Sequence, residues 1–206
     1  MYPMRAAFEA KHDPFFVQKI KVSRGMLGLP REVVFAKMCE GKRVLHIGCA
    51  DWPITDPATS LHVALGPYCA RLDGFDPHAE ALAALAPHML GTNLLYANLE
   101  DVTGEYDLVL VPEVMEHVAD VEGFLAQLHR INAPRYVITV PDAARCAPYH
   151  FHYEAATDTF VEIVHPDHNC WYSPFTLTNV IRKFTPWKVE GVWFFTNISL
   201  MAVCSK

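Results

Sequence analysis

The sequence predicts an α/β fold: a doubly wound sheet of seven strands, mostly parallel, with a terminal antiparallel strand pair at one edge. Three observations carry this. Short apolar runs alternate with helical patterns along most of the chain, as strand–helix–strand units do. The run "YDLVLV" is continuously apolar, as a strand covered on both faces is. The last two strand-like runs stand too close together for a parallel crossover, so they must pair antiparallel.

Taken in order, residues 14–39 read as helical, with a break at "GLP" (28–30). "KRVLHIG" is a buried-type strand ending in a glycine turn, and "ATSLHVALG" is a short helix closed by Gly66. "ARLDGFD" is a strand; "PHAEALAALA" is a helix with Pro77 at its first position. "TNLLYAN" and "YDLVLV" are strands, and "EVMEHVADVEGFLAQLHRI" is an amphipathic helix. "RYVITV" is the fifth strand. Residues 141–172 carry no strong periodicity, and irregular stretches of that length are usually functional. Ser173 caps a helix with Pro174 at its first position. "WKVEGVWFF" and "ISLMAVCS" close the chain.

Composition bounds the partners. The 206 residues are 51% hydrophobic, enough for one sizeable core. No run approaches the length of a membrane span. The first residues lack a basic start followed by an apolar stretch, so a cytoplasmic protein is expected. The six cysteines are scattered without a CxxC pair, which argues against a disulfide framework or zinc ribbon. A net charge of −6 with no large basic cluster argues against nucleic acid and leaves small-molecule substrates open. The aromatics of residues 1–39 suggest a helical extension that packs on something, as a lid or a homo-oligomer contact.

Ligands of such sheets bind outside the carboxyl ends of the strands. Three segments reach that edge: the turns after Ile47 and Phe75, and the segment after Val111. In "VLHIGCADWP", Gly48 can take a positive φ or let a ligand approach closely. A strict GxGxxG is absent. Asp76 closes the second strand, and its carboxylate can accept from both hydroxyls of a ribose. In "VPEVMEHVAD", Glu113, Glu116 and His117 stand at i, i+3 and i+4. They suit a solvated helix start, a capping arrangement favoured by the macrodipole, or a metal site. "EIVHPDHNCWYSP" adds His165, Asp167 and His168 from the irregular segment. Carboxylates with imidazoles suit manganese, iron, cobalt or zinc; magnesium would want more oxygens. Trp171, Tyr172 and Tyr149 could line an aromatic wall or lie in the core. "YHFHYE" alternates as an extended segment would.

These pieces ("VLHIGCAD", "GFDPHAEAL", "YANLED", "YDLVLVPEVMEHV", "RYVITVPDA") resemble the class I S-adenosylmethionine-dependent methyltransferases, with their Rossmann-like sheet, over residues 40–206. The resemblance implies S-adenosylmethionine as cofactor. It places Gly48, Cys49 and Ala50 by the cofactor's amino-acid part and Asp76 by the ribose, with Asp51 and Pro77 also among the cofactor-binding residues. Asn98 and Leu99 would flank the adenine, and Pro112 and Glu113 the methionine end. The chain departs from the pattern at His46, where an acid is usual, at Ala50 and Trp52 in place of glycines, and at Asn98 in place of Asp. The ExxEH pattern with a later HxxH is similar to the ubiquinone-pathway O-methyltransferases and the small-RNA 2′-O-methyltransferases. By that analogy Glu113, Glu116, His117 and His168 hold a divalent metal, with His168 chosen over His165. The implied activity is metal-assisted O-methylation of a small hydroxylated metabolite, with His117 or His168 accepting the proton. Competing readings are an RNA 2′-O-methyltransferase, a metal-free N- or C-methyltransferase, and a non-catalytic cofactor-binding module.

Overall fold

The computed structural model describes residues 9–53 and 56–206. Phe8, and Ile54 and Thr55 of the loop after the first glycine turn, lie outside the described residues. The centre of the fold is a run of parallel strands: β2 (Arg43–Ile47), β3 (Arg71–Phe75), β4 (Leu95–Tyr96), β5 (Leu108–Pro112) and β6 (Arg135–Pro141). A hairpin of β9 (Lys188–Thr196) and β10 (Ser199–Ser205) adds to β6, with β10 antiparallel to both its neighbours. A further strand, β1 (Ser23–Leu27), pairs parallel with β9. The sheet therefore has eight strands in the order β1-β9-β10-β6-β5-β2-β3-β4.

The seven strands expected from the sequence are all present, and β1 is the addition. It corrects the helix expected across residues 14–28, where only a short 3₁₀ turn, Pro14–Phe16, is helical. The exposed edge of β9 supplies the backbone partners that an isolated "SRGML" lacks. Gly28, at φ +75°, then turns the chain into α1 (Arg31–Cys39), whose Val34, Phe35 and Cys39 are buried.

Helices cover both faces. On one, α1 and α2 (Leu61–Leu65) pack Phe35 and Leu65 against Val44, Leu108 and Leu110. On the other, α4 (Val121–Arg130) and α6 (Pro174–Phe184) pack Leu125, Leu128 and Ile181 against Leu45, Val109 and Ile138. Successive residues of β2 and β5 thus enter opposite cores, which is why both strands read as unbroken apolar runs. α3 (Ala79–Leu85) covers the β3–β4 end. Pro77 precedes its N-cap, His78, rather than opening the helix. Ser173 caps α6 as expected, in a reciprocal capping box with Thr176.

Two further differences matter for the site. The helix expected from Glu113 begins only at Val121, where the Asp120 carboxylate caps Gly123 N–H at 2.9 Å. Residues 113–117 instead make a turn with Glu113 at φ +51° and a 3₁₀ segment, Met115–His117, that sends Met115 and Glu116 inward. The stretch expected to be irregular contains α5 (Ala143–His150) and a separate hairpin, β7 (Phe151–Glu154) with β8 (Thr159–Glu162). Among the described residues no helix is long and apolar enough to cross a membrane.

The turn after β2 is closely packed against β3. A Cβ on Gly74 would stand 2.5 Å from Cys49 Sγ and 2.9 Å from Leu95 Cδ2. Gly74→Ala is expected to destabilise the protein by about 1–3 kcal/mol through overpacking, seen as a Tm lower by several degrees. An unchanged Tm would show that the turn after β2 can yield.

Candidate active site

A cleft of about 910 Å³ opens at the carboxyl ends of β2, β3 and β5. That volume suits a small-molecule site. Four acidic residues (Asp51, Asp76, Glu113, Asp167) and one arginine, Arg31, are among its described lining residues.

The first wall is the turn after β2. Gly48 holds φ +73°, and a Cβ there would fall 2.6 Å from Val114 Cγ2. The N–H groups of Gly48 and Cys49 both donate to Phe75 O, at 2.8 and 3.1 Å, tying the turn to the end of β3. Asp76 is buried: its Oδ2 accepts from Ala50 N at 3.1 Å, and its Oδ1 from His78 N at 3.0 Å. His78 Nδ1 lies 2.9 Å from the same Oδ1. The Trp52 ring stacks on His78 with centroids 4.3 Å apart and planes 6° apart. Trp52 thus lines the cleft beside Asp76 and remains partly exposed. Asp51 lines the cleft at φ +56°; burial raises its carboxyl above the usual range, against the opposing pull of Arg31.

The second wall follows β5. Pro112 and Glu113 line the cleft, and Glu113 N–H donates to Thr139 O at 2.9 Å. Burial pushes the Glu113 carboxyl up to about 7, although the Thr139 and Ser199 hydroxyls and the Arg31 charge draw it down. Glu116 is buried, and burial followed by the neighbouring Glu113 charge raises its carboxyl strongly. His117 Nε2 stands 3.8 Å from Glu116 Oε1. Its ring meets His165 and His168 edge to face, with centroids 5.1 and 4.8 Å away. Burial and the neighbouring histidines lower both His117 and His168 below the usual histidine value.

Of the four residues expected to hold a metal, Glu116, His117 and His168 offer ligand atoms within 4.8 Å of one another. Glu113 adjoins this group without entering it. Glu113 Oε1, Glu116 Oε2, His165 Nε2 and His168 Nδ1 are buried with no hydrogen-bond partner among the described residues. Buried polar atoms are normally paired, so these four orphans fit a bound cation; Glu113 and His165 line the cleft, and Glu116 and His168 lie behind its lining residues. The donor set, carboxylate and imidazole, fits a divalent transition metal.

Other expectations fare differently. Gly48, Cys49, Asp51, Asp76, Pro77, Leu99, Pro112 and Glu113 line the cleft. Ala50 is buried behind it, and Asn98 is exposed, its amide turned to Asp101 Oδ2 at 3.3 Å. Tyr172 is core, Tyr149 is exposed, and Trp171 packs edge-on against Phe151 and His168, so none of the three forms a wall of the cleft. Sequence reasoning missed Asn169. Its N–H donates to Glu116 O at 2.7 Å and its amide to His117 O at 2.6 Å, pinning the histidine loop to the 3₁₀ turn. It also missed Arg31, which sits in a segment read only as extension.

The strand order from β9 to β4 and this cleft define the fold of the class I S-adenosylmethionine-dependent methyltransferases. No family model matches the chain. It is 34% identical over 107 residues to the ubiquinone biosynthesis O-methyltransferase of Rhodopseudomonas palustris, covering 49% of this chain and 40% of that protein. For the Rhizobium rhizogenes protein of the same name the figures are 32% over 127 residues, 57% and 48%. The matched stretch spans less than half the length of these relatives. A Mesorhizobium loti S-adenosylmethionine-dependent methyltransferase superposes with a TM-score of 0.57 at 14% identity, covering 86% of this chain and 99% of that one. The methyltransferase domain of a bacterial Hen1 gives 0.56 at 17%, covering 84% and 95%. The Bradyrhizobium japonicum N-methyltransferase NodS, in complex with S-adenosyl-L-homocysteine, gives 0.57 at 17%, covering 85% and 84%.

The buried glutamates make stability depend on pH. Folding raises Glu113 from 4.5 to about 7, so the folded state binds that proton more tightly and loses stability as pH rises across this interval. The lowered histidines oppose this below pH 6.5, and comparing two proteins removes their part, leaving Glu113 together with the share of the Glu116 shift that the Glu113 charge causes. In chelator, Glu113→Gln should gain on the wild type by about 3 kcal/mol between pH 4.5 and 7. A constant gap in denaturant unfolding across that range would show the carboxyl to be solvated.

Proposed function

We propose that the chain is an S-adenosylmethionine-dependent O-methyltransferase of a small hydroxylated molecule, assisted by a divalent cation. The observation that carries the reading is the group after β5, where Glu116 and His168 converge on His117 at the cleft's lining, beside orphaned polar atoms. The local identity to ubiquinone biosynthesis O-methyltransferases supports the O-methyl chemistry. Four lining acids against one arginine favour a cationic cofactor and disfavour a polyanionic acceptor such as RNA.

S-adenosylmethionine supplies an electrophilic methyl group on a sulfonium, and a divalent cation lowers the pKa of a hydroxyl it binds. The chain does the rest. Gly48 lets the backbone approach the cofactor, and Asp76 Oδ2 keeps a lone pair for a ribose hydroxyl beyond its bond to Ala50, while Oδ1 is engaged with His78. Glu113 and Asp51 set negative charge against the cofactor's positive groups. Glu116, His117 and His168 would hold the cation, with Glu113 beside them. The neutral imidazole of His117 or His168 that is less engaged with the cation takes the hydroxyl proton at a ring nitrogen. Trp52, over His78, shields the cleft from water.

Incubation with S-adenosylmethionine, manganese and a catechol should give a product heavier by one methylene, with activity lost in chelator and restored by manganese. Glu116→Gln should lower kcat by more than ~100-fold, beyond the loss typical for an outer-shell partner. Full activity after exhaustive chelation would leave a metal-free transferase. No calorimetric heat with S-adenosylmethionine would leave a binding module without this cofactor.

A further inference from the structure

The six cysteines, scattered in sequence, are not scattered in space. Cys39 is the last residue of α1 and is fully buried. Cys69 follows a short 3₁₀ turn, Gly66–Tyr68, and precedes β3. The two stand 30 positions apart in sequence. The backbone brings them together. Gly41 N–H donates to Tyr68 O at 2.9 Å, and Ala70 N–H donates to Lys42 O at 2.9 Å. Lys42 N–H in turn donates to Cys39 O at 3.0 Å. The segment leaving α1 thus lies along the segment entering β3, and Cys69 packs against the core cluster that holds Cys39.

The two thiols differ in access and in charge. Cys69 is half-buried between the exposed Tyr68 and Ala70, so a small solute reaches its sulfur. Lys42 is half-buried beside the pair, its ammonium donating to Met38 O at 2.7 Å. Cys39 gives its hydrogen to the Cys69 sulfur. That bond, followed by burial, pushes the Cys39 thiol far up. The same bond, with help from the Lys42 charge, draws the Cys69 thiol down against its own burial. The thiolate is the nucleophilic form, and it forms most readily in electropositive, partly exposed surroundings. Cys49, Cys146 and Cys204 are buried, and burial raises all three.

A partly exposed thiolate beside a buried thiol is the arrangement of a peroxide-reactive cysteine with its resolving partner. We propose that Cys69 and Cys39 form an oxidisable pair, in which Cys69 reacts with hydrogen peroxide and Cys39 closes an intrachain disulfide. The Cys69 sulfur attacks one peroxide oxygen. The S–O bond forms and the O–O bond breaks, leaving a sulfenic acid and a hydroxide that takes up a proton as water. The Cys39 sulfur then attacks the Cys69 sulfur. The S–S bond forms, the S–O bond breaks, and the departing hydroxide leaves as water with the Cys39 proton. Two thiols have lost two electrons to one peroxide. The bond ties the end of α1 to the start of β3, at the amino ends of the strands, across the sheet from the cleft. It consumes no group of the candidate active site.

The test is peptide mapping by mass spectrometry of folded, reduced wild-type protein after hydrogen peroxide, with free thiols blocked before unfolding. One disulfide should join the peptides carrying Cys39 and Cys69, two hydrogens lighter than the separate peptides and reversed by dithiothreitol. Cys69 should be lost at least ~10-fold faster than Cys49 or Cys204. In Cys39→Ala, Cys69 should stop at the sulfenic acid and be captured by dimedone. In Cys69→Ser, Cys39 should stay reduced. The closed loop is long, so the oxidised protein should melt several degrees above the reduced one. Oxidation of Cys69 no faster than of the buried thiols, or its joining to any other cysteine, would overturn the proposal. So would a wild-type Cys69 that passes to the sulfinic acid while Cys39 stays reduced, or a lower Tm of the disulfide form. The wild-type map needs no variant and decides the matter even where a variant fails to fold.

Discussion

Glu113 and Glu116 carry their carboxyl groups into the interior just beyond β5, and each raises the cost of ionising the other. No lysine or arginine is bonded to either among the described residues; only the Arg31 charge reaches Glu113 from across the cleft. The fold spends several features on this one placement. Glu113 adopts φ +51°, which side chains with a Cβ rarely take. Thr139 fixes its N–H through both the carbonyl and the hydroxyl oxygen. The helix that could have begun at Glu113 is deferred to Asp120. Had it begun earlier, the acids would have lined its first turn facing solvent, a comfortable place for them electrostatically.

The same constraint explains the loop between β8 and α6. A buried acidic pair without a cation needs proton donors or a metal nearby. The loop brings His165 and His168 to it, and Asn169 latches it by bonding both Glu116 O and His117 O. The latch joins residues 52 positions apart in sequence. The hairpin β7–β8 is joined to the loop through Trp171, which donates to the Glu162 carboxylate and stands edge-on to His168. A segment without periodicity is thus ordered by its attachments to one turn, rather than by a core of its own.

Much of the scaffold was legible because burial on two faces leaves a plain record. "VLHI", "YDLVLV" and "RYVITV" could be nothing but covered strands, and Ser173-Pro174 marked a helix start by chemistry alone. β1 was not legible, since its partner is the edge of β9, more than 160 residues away. α5 was hidden by Pro148 within it. In the site, Gly48, Asp76 and the ExxEH residues stood out by type and spacing, and so did their position at the strand ends. Their geometry did not. The i, i+3, i+4 spacing suggested a shared helix face, but the three residues are gathered by a turn. Arg31, Asn169 and the Trp52–His78 stack act across the cleft or between loops, where no local pattern marks them.

The two ends of the cleft handle charge in opposite ways, and the difference follows from what each lies against. Beside α1, the Arg31 guanidinium and His46 line the cleft, with His46 stacked on the buried His62. A fixed charge in place of His46 would there have to be desolvated beside the apolar residues of the α1–α2 core. A pair of imidazoles whose Nδ1 atoms share one hydrogen avoids that cost. After β5 the wall is acidic and imidazole-rich, so it gains most when a small, multiply charged cation neutralises it. Asp76 lies at the end of the neighbouring strand, its oxygens already oriented by Ala50 and His78. A cofactor that is a zwitterion at one end, a sulfonium in the middle and a ribose beyond matches that sequence of surfaces, and a uniformly charged ligand would not.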